Sequence, residues 1–202
     1  MVTIARIEEA GPDRRARLIV FDNTETLRTA REVVKALGLE EGATFTRIGE
    51  LREQVDTAEL EQARDRLLRI LNSRDRTEFE ARDRLRKDGY GHKAIDTVVG
   101  RFVEVGLIDD ARYTEVFING SLTAKRGWNR IRRDLQQRGI DIEGIEPPTE
   151  DAELQRALDC IARIEITDRK SRDKALRKMV SRGFAYPIAL KALETKTDTV
   201  LD

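Results

Sequence analysis

The feature that most constrains this chain is a short phrase met three times, each copy a run of polar and basic residues closing on a glycine and an apolar residue. The copies read Leu85-Arg86-Lys87-Asp88-Gly89-Tyr90, Leu135-Gln136-Gln137-Arg138-Gly139-Ile140 and Met179-Val180-Ser181-Arg182-Gly183-Phe184. In each, the apolar residue four places before the glycine suits the buried side of a last helical turn, and the glycine suits the left-handed position that ends helices. Helix ends recurring at this interval fall in the period range of helical repeat proteins, where each repeat buries its apolar face against its neighbours. The expectation is a mainly α fold of tandem three-helix repeats forming an elongated array, preceded by a small N-terminal β-containing module.

Charge and hydropathy narrow the class. Charged residues make up 38% of the 202 and apolar residues 39%, against a usual charged share of about 25%, so much of the helix surface must be solvated charge. No apolar run approaches the roughly 18 residues of a membrane span, and Met1-Val2-Thr3-Ile4-Ala5-Arg6 lacks a signal-peptide core. A cytoplasmic protein with no membrane partner is expected. Cys160 is the single cysteine, which excludes an internal disulfide and a cysteine-built zinc site and reads as a small core residue.

The first sixty residues stand outside the repeat. Val2 to Ile7 alternates, Gly11-Pro12-Asp13 signals a turn, and Ala16 to Phe21 is rich in strand formers, which together read as a hairpin. Thr29 to Leu37 has helical spacing and stops at Gly38, and residues 43–48 read as a third strand. The pattern turns helical from Thr57, placing a boundary near Gln54 to Ala58 and dividing the chain into 1–56, 57–108, 109–148 and 149–202. In the first repeat Leu60, Ala63, Leu67, Leu68 and Leu71 form an apolar stripe, Thr77 and Glu80 offer a capping box, and Ala94 to Val103 form a third helix closing near Gly106. The second repeat's third helix is the weakest element, because residues 141–148 are short, acidic and interrupted by Pro147-Pro148. The third repeat resumes at Asp151 and closes with a helix from Tyr186-Pro187.

Net charge is zero, but the charge is segregated. Between residues 125 and 138 the basic residues are Lys125, Arg126, Arg130, Arg132, Arg133 and Arg138, opposed by Asp134 alone; residues 141–159 are strongly acidic, and residues 163–182 are basic again. On a helix starting near Gly127, Trp128, Ile131 and Leu135 share one side while Arg126, Arg130, Arg133 and Gln137 project opposite. In the third repeat Ala175, Leu176, Met179 and Val180 form the apolar side and Lys170, Lys174, Arg177 and Lys178 face outward. The corresponding first-repeat set, Glu80, Asp83 and Lys87, is mixed in sign. Contacts to a polyanion are therefore assigned to Arg126, Arg130, Arg132, Arg133, Arg138, Lys170, Lys174, Arg177 and Lys178. The plainer alternative is that these stripes are solvated helix faces.

Other residues have plainer readings. Trp128 can stack on a base, but its spacing with Ile131 and Leu135 places it in the core. His92 is the one histidine and reads as a surface or capping residue; Tyr90, Tyr113 and Tyr186 read as packing residues at junctions. Enzymatic signals are weak: no phosphate-binding glycine loop with its lysine, no histidine metal cluster, and no recognisable nucleophile motif. Asp109-Asp110 can in principle hold a metal, yet after Gly106-Leu107-Ile108 the pair suits a helix start, where carboxylates meet exposed amides and the positive dipole end. No catalytic residue, metal or cofactor is expected.

Several of these stretches together resemble a known family. Arg74-Asp75-Arg76-Thr77-Glu78 leading to Leu85 and Gly89-Tyr90, Gly106-Leu107-Ile108-Asp109-Asp110-Ala111-Arg112-Tyr113, and Gly127 with Ile131 to Leu135 and Gly139-Ile140 resemble the bacterial RecX regulators over roughly residues 58–192. Ala81 departs from a usual leucine, and Pro147-Pro148 shortens the link to the third repeat. The resemblance implies a non-enzymatic modulator that lies in the groove of the RecA filament on DNA and inhibits strand exchange, ATP hydrolysis and co-protease action. It implies a monomer with the RecA filament as protein partner and only weak binding to bare single- or double-stranded DNA. A general nucleic-acid-binding helical repeat acting without RecA is the alternative, and an unrecognised hydrolase the third reading.

Overall fold

The structure is a computed structural model that describes residues 1–198. The chain divides into two compact units, the first Met1–Asp109 and the second beginning at Asp110.

The first unit opens with an antiparallel sheet of β1 (Val2–Ala10), β2 (Ala16–Phe21), β3 (Thr26–Ala30) and β4 (Thr44–Phe45), in the order β3-β2-β1-β4. The expected hairpin is present, with Ile7 opposite Ile19 and Ala10 opposite Ala16. Two expectations shift. The helix read over Thr29 to Leu37 starts only at Arg31, as α1 (Arg31–Ala36), because Thr26–Ala30 instead pairs with β2 and buries Thr29 and Ala30. The strand read over 43–48 shrinks to two residues because Ile48 opens a long helix, α2 (Ile48–Leu71).

Helix α2 runs unbroken through Gln54 to Ala58. Its buried line is Leu51, Val55, Glu59, Ala63, Leu67 and Ile70, while Leu60 and Leu68, read from the sequence as stripe residues, lie on the more exposed side. The first half of this line packs under the sheet and α1, and the second half under α3 (Glu78–Asp88) and α4 (His92–Glu104), so strand module and first repeat share one core. Thr77 caps α3 by accepting from the Glu80 amide at 3.1 Å. Helix α4 is strongly amphipathic, burying Ala94, Ile95, Val98, Val99 and Phe102.

The second unit contains α5 (Asp110–Thr123), α6 (Trp128–Gln136), α7 (Glu150–Ile161), α8 (Arg169–Ser181) and α9 (Tyr186–Asp198). One core forms around Ile131, Leu135 and Ile140, with Phe117, Ile118, Leu122 and half-buried Trp128 packed on it. A second gathers Ala157, Ile161, Met179, Phe184 and Leu193 from α7, α8 and α9, with Cys160 buried there. Residues 139–149 form no helix: Asp141 accepts from the Glu143 amide at 2.9 Å, Gly144 has φ +83°, and two prolines follow. Two apolar assignments do not hold. Val180 is 46% exposed, since the Ala175–Met179 line at four-residue spacing takes the core position, and Tyr186 is 57% exposed at the first turn of α9.

The three phrase glycines all adopt the left-handed conformation, with φ of +105°, +75° and +93° at Gly89, Gly139 and Gly183. At Gly89 the absent side chain also matters, because a Cβ there would meet the Thr29 carbonyl at 2.8 Å where α3 ends against the sheet.

Candidate functional site

The basic residues of the second unit are placed by a contact between two helix ends. Gly127, just before α6, lies against the backbone of Gly183, just after α8, so closely that a side chain on either would collide with the other segment. The Arg182 carbonyl accepts from the Gly127 amide at 2.9 Å, and the Gly183 carbonyl from the Asn129 amide at 3.2 Å. Between them, the Trp128 amide donates to the carboxylate of buried Glu153 on α7 at 2.8 Å. Orphan donors at the start of α6 thus meet carbonyls at the end of α8, positive dipole end to negative.

This contact brings the start of the α6 stripe beside the end of α8. Arg130 Nη1 reaches the Ser181 carbonyl at 3.5 Å, and Arg182 Nη1 donates to the Ala124 carbonyl at 2.9 Å. Arg126 and Arg130 each lie 3.6 Å from Asp134, which aligns them while offsetting part of their charge. Arg132 and Arg133 are exposed and, among the described residues, make no ion pair. On α8, Lys170, Lys174 and Arg177 are exposed at helical spacing, and Lys178 is half-buried beside them. Arg177 Nε donates to the Asp173 carbonyl at 3.2 Å. Arg169 and Lys170 fill the first turn of α8, where cations oppose the helix dipole and concentrate positive potential. Asp168 offsets that cost as a capping box with Ser171, and the Ser171 amide and hydroxyl hold its carboxyl below the usual range.

Arg138 stands apart from the stripe. Its guanidinium lies 4.9 Å over the Phe117 ring, Nε donates to the Tyr113 hydroxyl at 3.1 Å, and Tyr113 stacks on Phe117. It is a packing residue, because a half-buried cation over an aromatic face gains more there than in solvent. Sequence reasoning also gave Arg182 no role, though it joins the same surface through the fold.

The corresponding charges of the first repeat are committed internally. Arg82 pairs with Glu78 at 2.8 Å and also with Asp96, Lys87 pairs with Asp83 at 2.7 Å, and Arg84 reaches Asp13 at 2.8 Å. Asp88 is buried and accepts from Arg66 Nε at 2.6 Å. Buried Glu59 was not singled out by its sequence; it accepts from Thr29 Oγ1 at 2.7 Å and from the Gly91 amide, at the start of α4, at 2.9 Å. Burial pushes its carboxyl upward against those two bonds. The available signal was its place on the four-residue line of α2. Like Glu153, Glu59 serves as a helix cap supplied from another element. His92 is exposed. Among the described residues no group of three or more histidine, cysteine or carboxylate side chains could hold a metal ion, and no helix is long and apolar enough to cross a membrane.

Comparison with known proteins gives this geometry a family context. A family model for the first three-helix domain of RecX matches residues 63–102, and one for the second three-helix domain matches residues 109–146. Regulatory protein RecX of Mycobacterium sp. (strain JLS) is 33% identical over 144 residues, covering 64% of this chain and 79% of that protein. Regulatory protein RecX of Thermobifida fusca (strain YX) is 30% identical over 152 residues, 67% of this chain and 80% of that protein. A crystal structure of regulatory protein RecX aligns with a TM-score of 0.54 at 18% identity, covering 93% of this chain and 97% of that one, a likeness of fold alone. Within the second matched stretch this chain forms two helices, α5 and α6, and the turn at 139–146 takes the place of a third.

Proposed function

The chain belongs to the RecX family of regulatory proteins, and from that premise we propose that it binds the RecA filament on DNA and inhibits the recombinase, its ATP hydrolysis and its co-protease activity. The observation that carries the reading is the basic surface of the second unit, made by Arg126, by the α6 residues Arg130, Arg132 and Arg133, of which Arg130 reaches the end of α8, and by Lys170, Lys174, Arg177 and Lys178 on α8 itself. Exposed cations on rigid helices suit a phosphate backbone, which positions a protein without requiring a deep pocket. The protein acts as a monomer in the cytoplasm and catalyses no reaction of its own. Binding to bare nucleic acid without RecA is the second reading, favoured by the uncommitted Arg132 and Arg133; its mark is tight binding that weakens steeply with salt as counterions are released.

The deciding experiment titrates the full chain into RecA hydrolysing ATP on single-stranded DNA. Inhibition at or below equal ratios supports the proposal. Unchanged hydrolysis across that range, with tight salt-sensitive binding to bare DNA, transfers the surface to the second reading.

A further inference from the structure

The second repeat has no third helix, and an open apolar groove runs beside the turn that replaces it. Helix α5 buries only Ser121 fully, and Ile118 is half-buried. Between α5 and the turn that follows α6 runs a groove of about 720 Å³, lined by Ala111, Glu115, Ile118, Ile140, Asp141 and Ile145 among others. Elsewhere in the chain a helix completes the bundle: α4 lays Ala94, Ile95, Val98, Val99 and Phe102 into the core it shares with α2 and α3, and α9 lays Ala189, Ala192 and Leu193 onto α7 and α8. Residues 139–149 do not form such a helix, because Gly144 adopts a positive φ and Pro147-Pro148 lack the amide donors a helix needs.

We infer that this groove takes an amphipathic α-helix of a protein partner, apolar face inward and basic side chains along its edge. The apolar floor of Ile118, Ile140 and Ile145 matches what a bundle helix covers. The charged side chains lining the groove are all acidic, and the chain beyond them continues with exposed Glu143, Glu146 and Asp151. That sign selects a cationic helix and repels a nucleic acid, so the occupant is a protein whereas the α6 and α8 surface faces an anion. The inference goes beyond the RecA reading and does not depend on it, since it fixes the chemistry of the helix and not the protein that carries it.

The test uses the full chain and a fluorescent synthetic peptide of the length of α4. The peptide keeps apolar residues at the positions of Ala94, Ile95, Val98, Val99 and Phe102 and places lysine elsewhere; a scrambled peptide of the same composition is the control. Saturable binding by anisotropy is expected for the amphipathic peptide alone. Asn119→Trp, an exposed position on the groove wall, is expected to weaken it by about tenfold or more, and Glu115→Lys by about threefold. Circular dichroism reports whether each variant keeps its helix content; should Asn119→Trp lose it, Glu115→Lys decides. Absence of saturation up to about 1 mM, equal binding of the scrambled peptide, or indifference to the folded variants overturns the inference. Sedimentation showing a wild-type dimer that Asn119→Trp dissociates would give the groove to a second copy and likewise overturn it.

Discussion

Helices α3 and α6 end on the same phrase and bury the same position of it, Leu85 in one and Leu135 in the other, yet they use their charges in opposite ways. Around α3, Arg82, Arg84, Arg86 and Lys87 each meet a carboxylate, and the buried Asp88 draws in Arg66. On α6, one half-buried aspartate holds Arg126 and Arg130 while Arg132 and Arg133 project into solvent. Repeat identity therefore resides in the backbone and the core, while the two repeats differ in how far their cations are neutralised.

The largest expected effect tests the shared half of that contrast. Leu85→Ala and Leu135→Ala should each cost about 2–5 kcal/mol, since both side chains are fully buried and truncation leaves a cavity. Denaturant unfolding measures this, and a small cost at Leu135 would break the equivalence of the two repeats. The next effect separates the charges. Asp88→Ala should cost about 3 kcal/mol, because it strands Arg66 beside a buried site. Asp134→Ala, whose partners are solvated, should cost under about 1 kcal/mol. Comparable losses would show that the second repeat depends on its ion pairs as much as the first.

A smaller effect depends on pH. Burial raises the Glu59 carboxyl above its ordinary value, so the folded chain holds that proton more tightly than the unfolded one. Its stabilising contribution is complete below the ordinary carboxylate pKa and is lost as pH rises through the raised folded value. Glu59→Gln keeps its one oxygen as acceptor for the Gly91 amide and turns its NH2 to the Thr29 hydroxyl, which can accept, without the charge, so its thermal midpoint should gain on wild type as pH rises through that window. A constant difference would remove burial as the cause. The smallest effect on stability carries the binding claim: Arg132→Glu with Arg133→Glu should change stability by under about 0.5 kcal/mol, as exposed substitutions do, while weakening inhibition of RecA. Unfolding of this double variant would place the two arginines in the structure instead of on a partner.

What the sequence makes legible follows from local chemistry. The three glycines announce helix ends because their conformation is decided within one turn, and Thr77 announces a cap because its partner lies three residues away. The spacing of Trp128, Ile131 and Leu135 likewise gives the inner face of α6. The failures are tertiary. Leu60 and Leu68 fit a helical stripe as well as the observed line does, and only the sheet packed on the first half of α2 selects the register through Leu51, Val55 and Glu59. Thr29 reads as a helix start until β2 offers it a strand partner. Arg138 looks like one more cation of the stripe because Tyr113 and Phe117, which receive it, lie on a different helix. The outward stripes were readable; their meeting at Gly127 and Gly183 was not, since nothing local pairs those two positions.

That meeting also bears on how the chain is made. In an array whose repeats touch only through side-chain faces, each can close as soon as it is synthesised. Here the amide of Gly127 and the first two amides of α6 find their acceptors at Arg182, Glu153 and Gly183, so a nascent chain emerging from the ribosome cannot complete its second repeat until most of the third has followed it out.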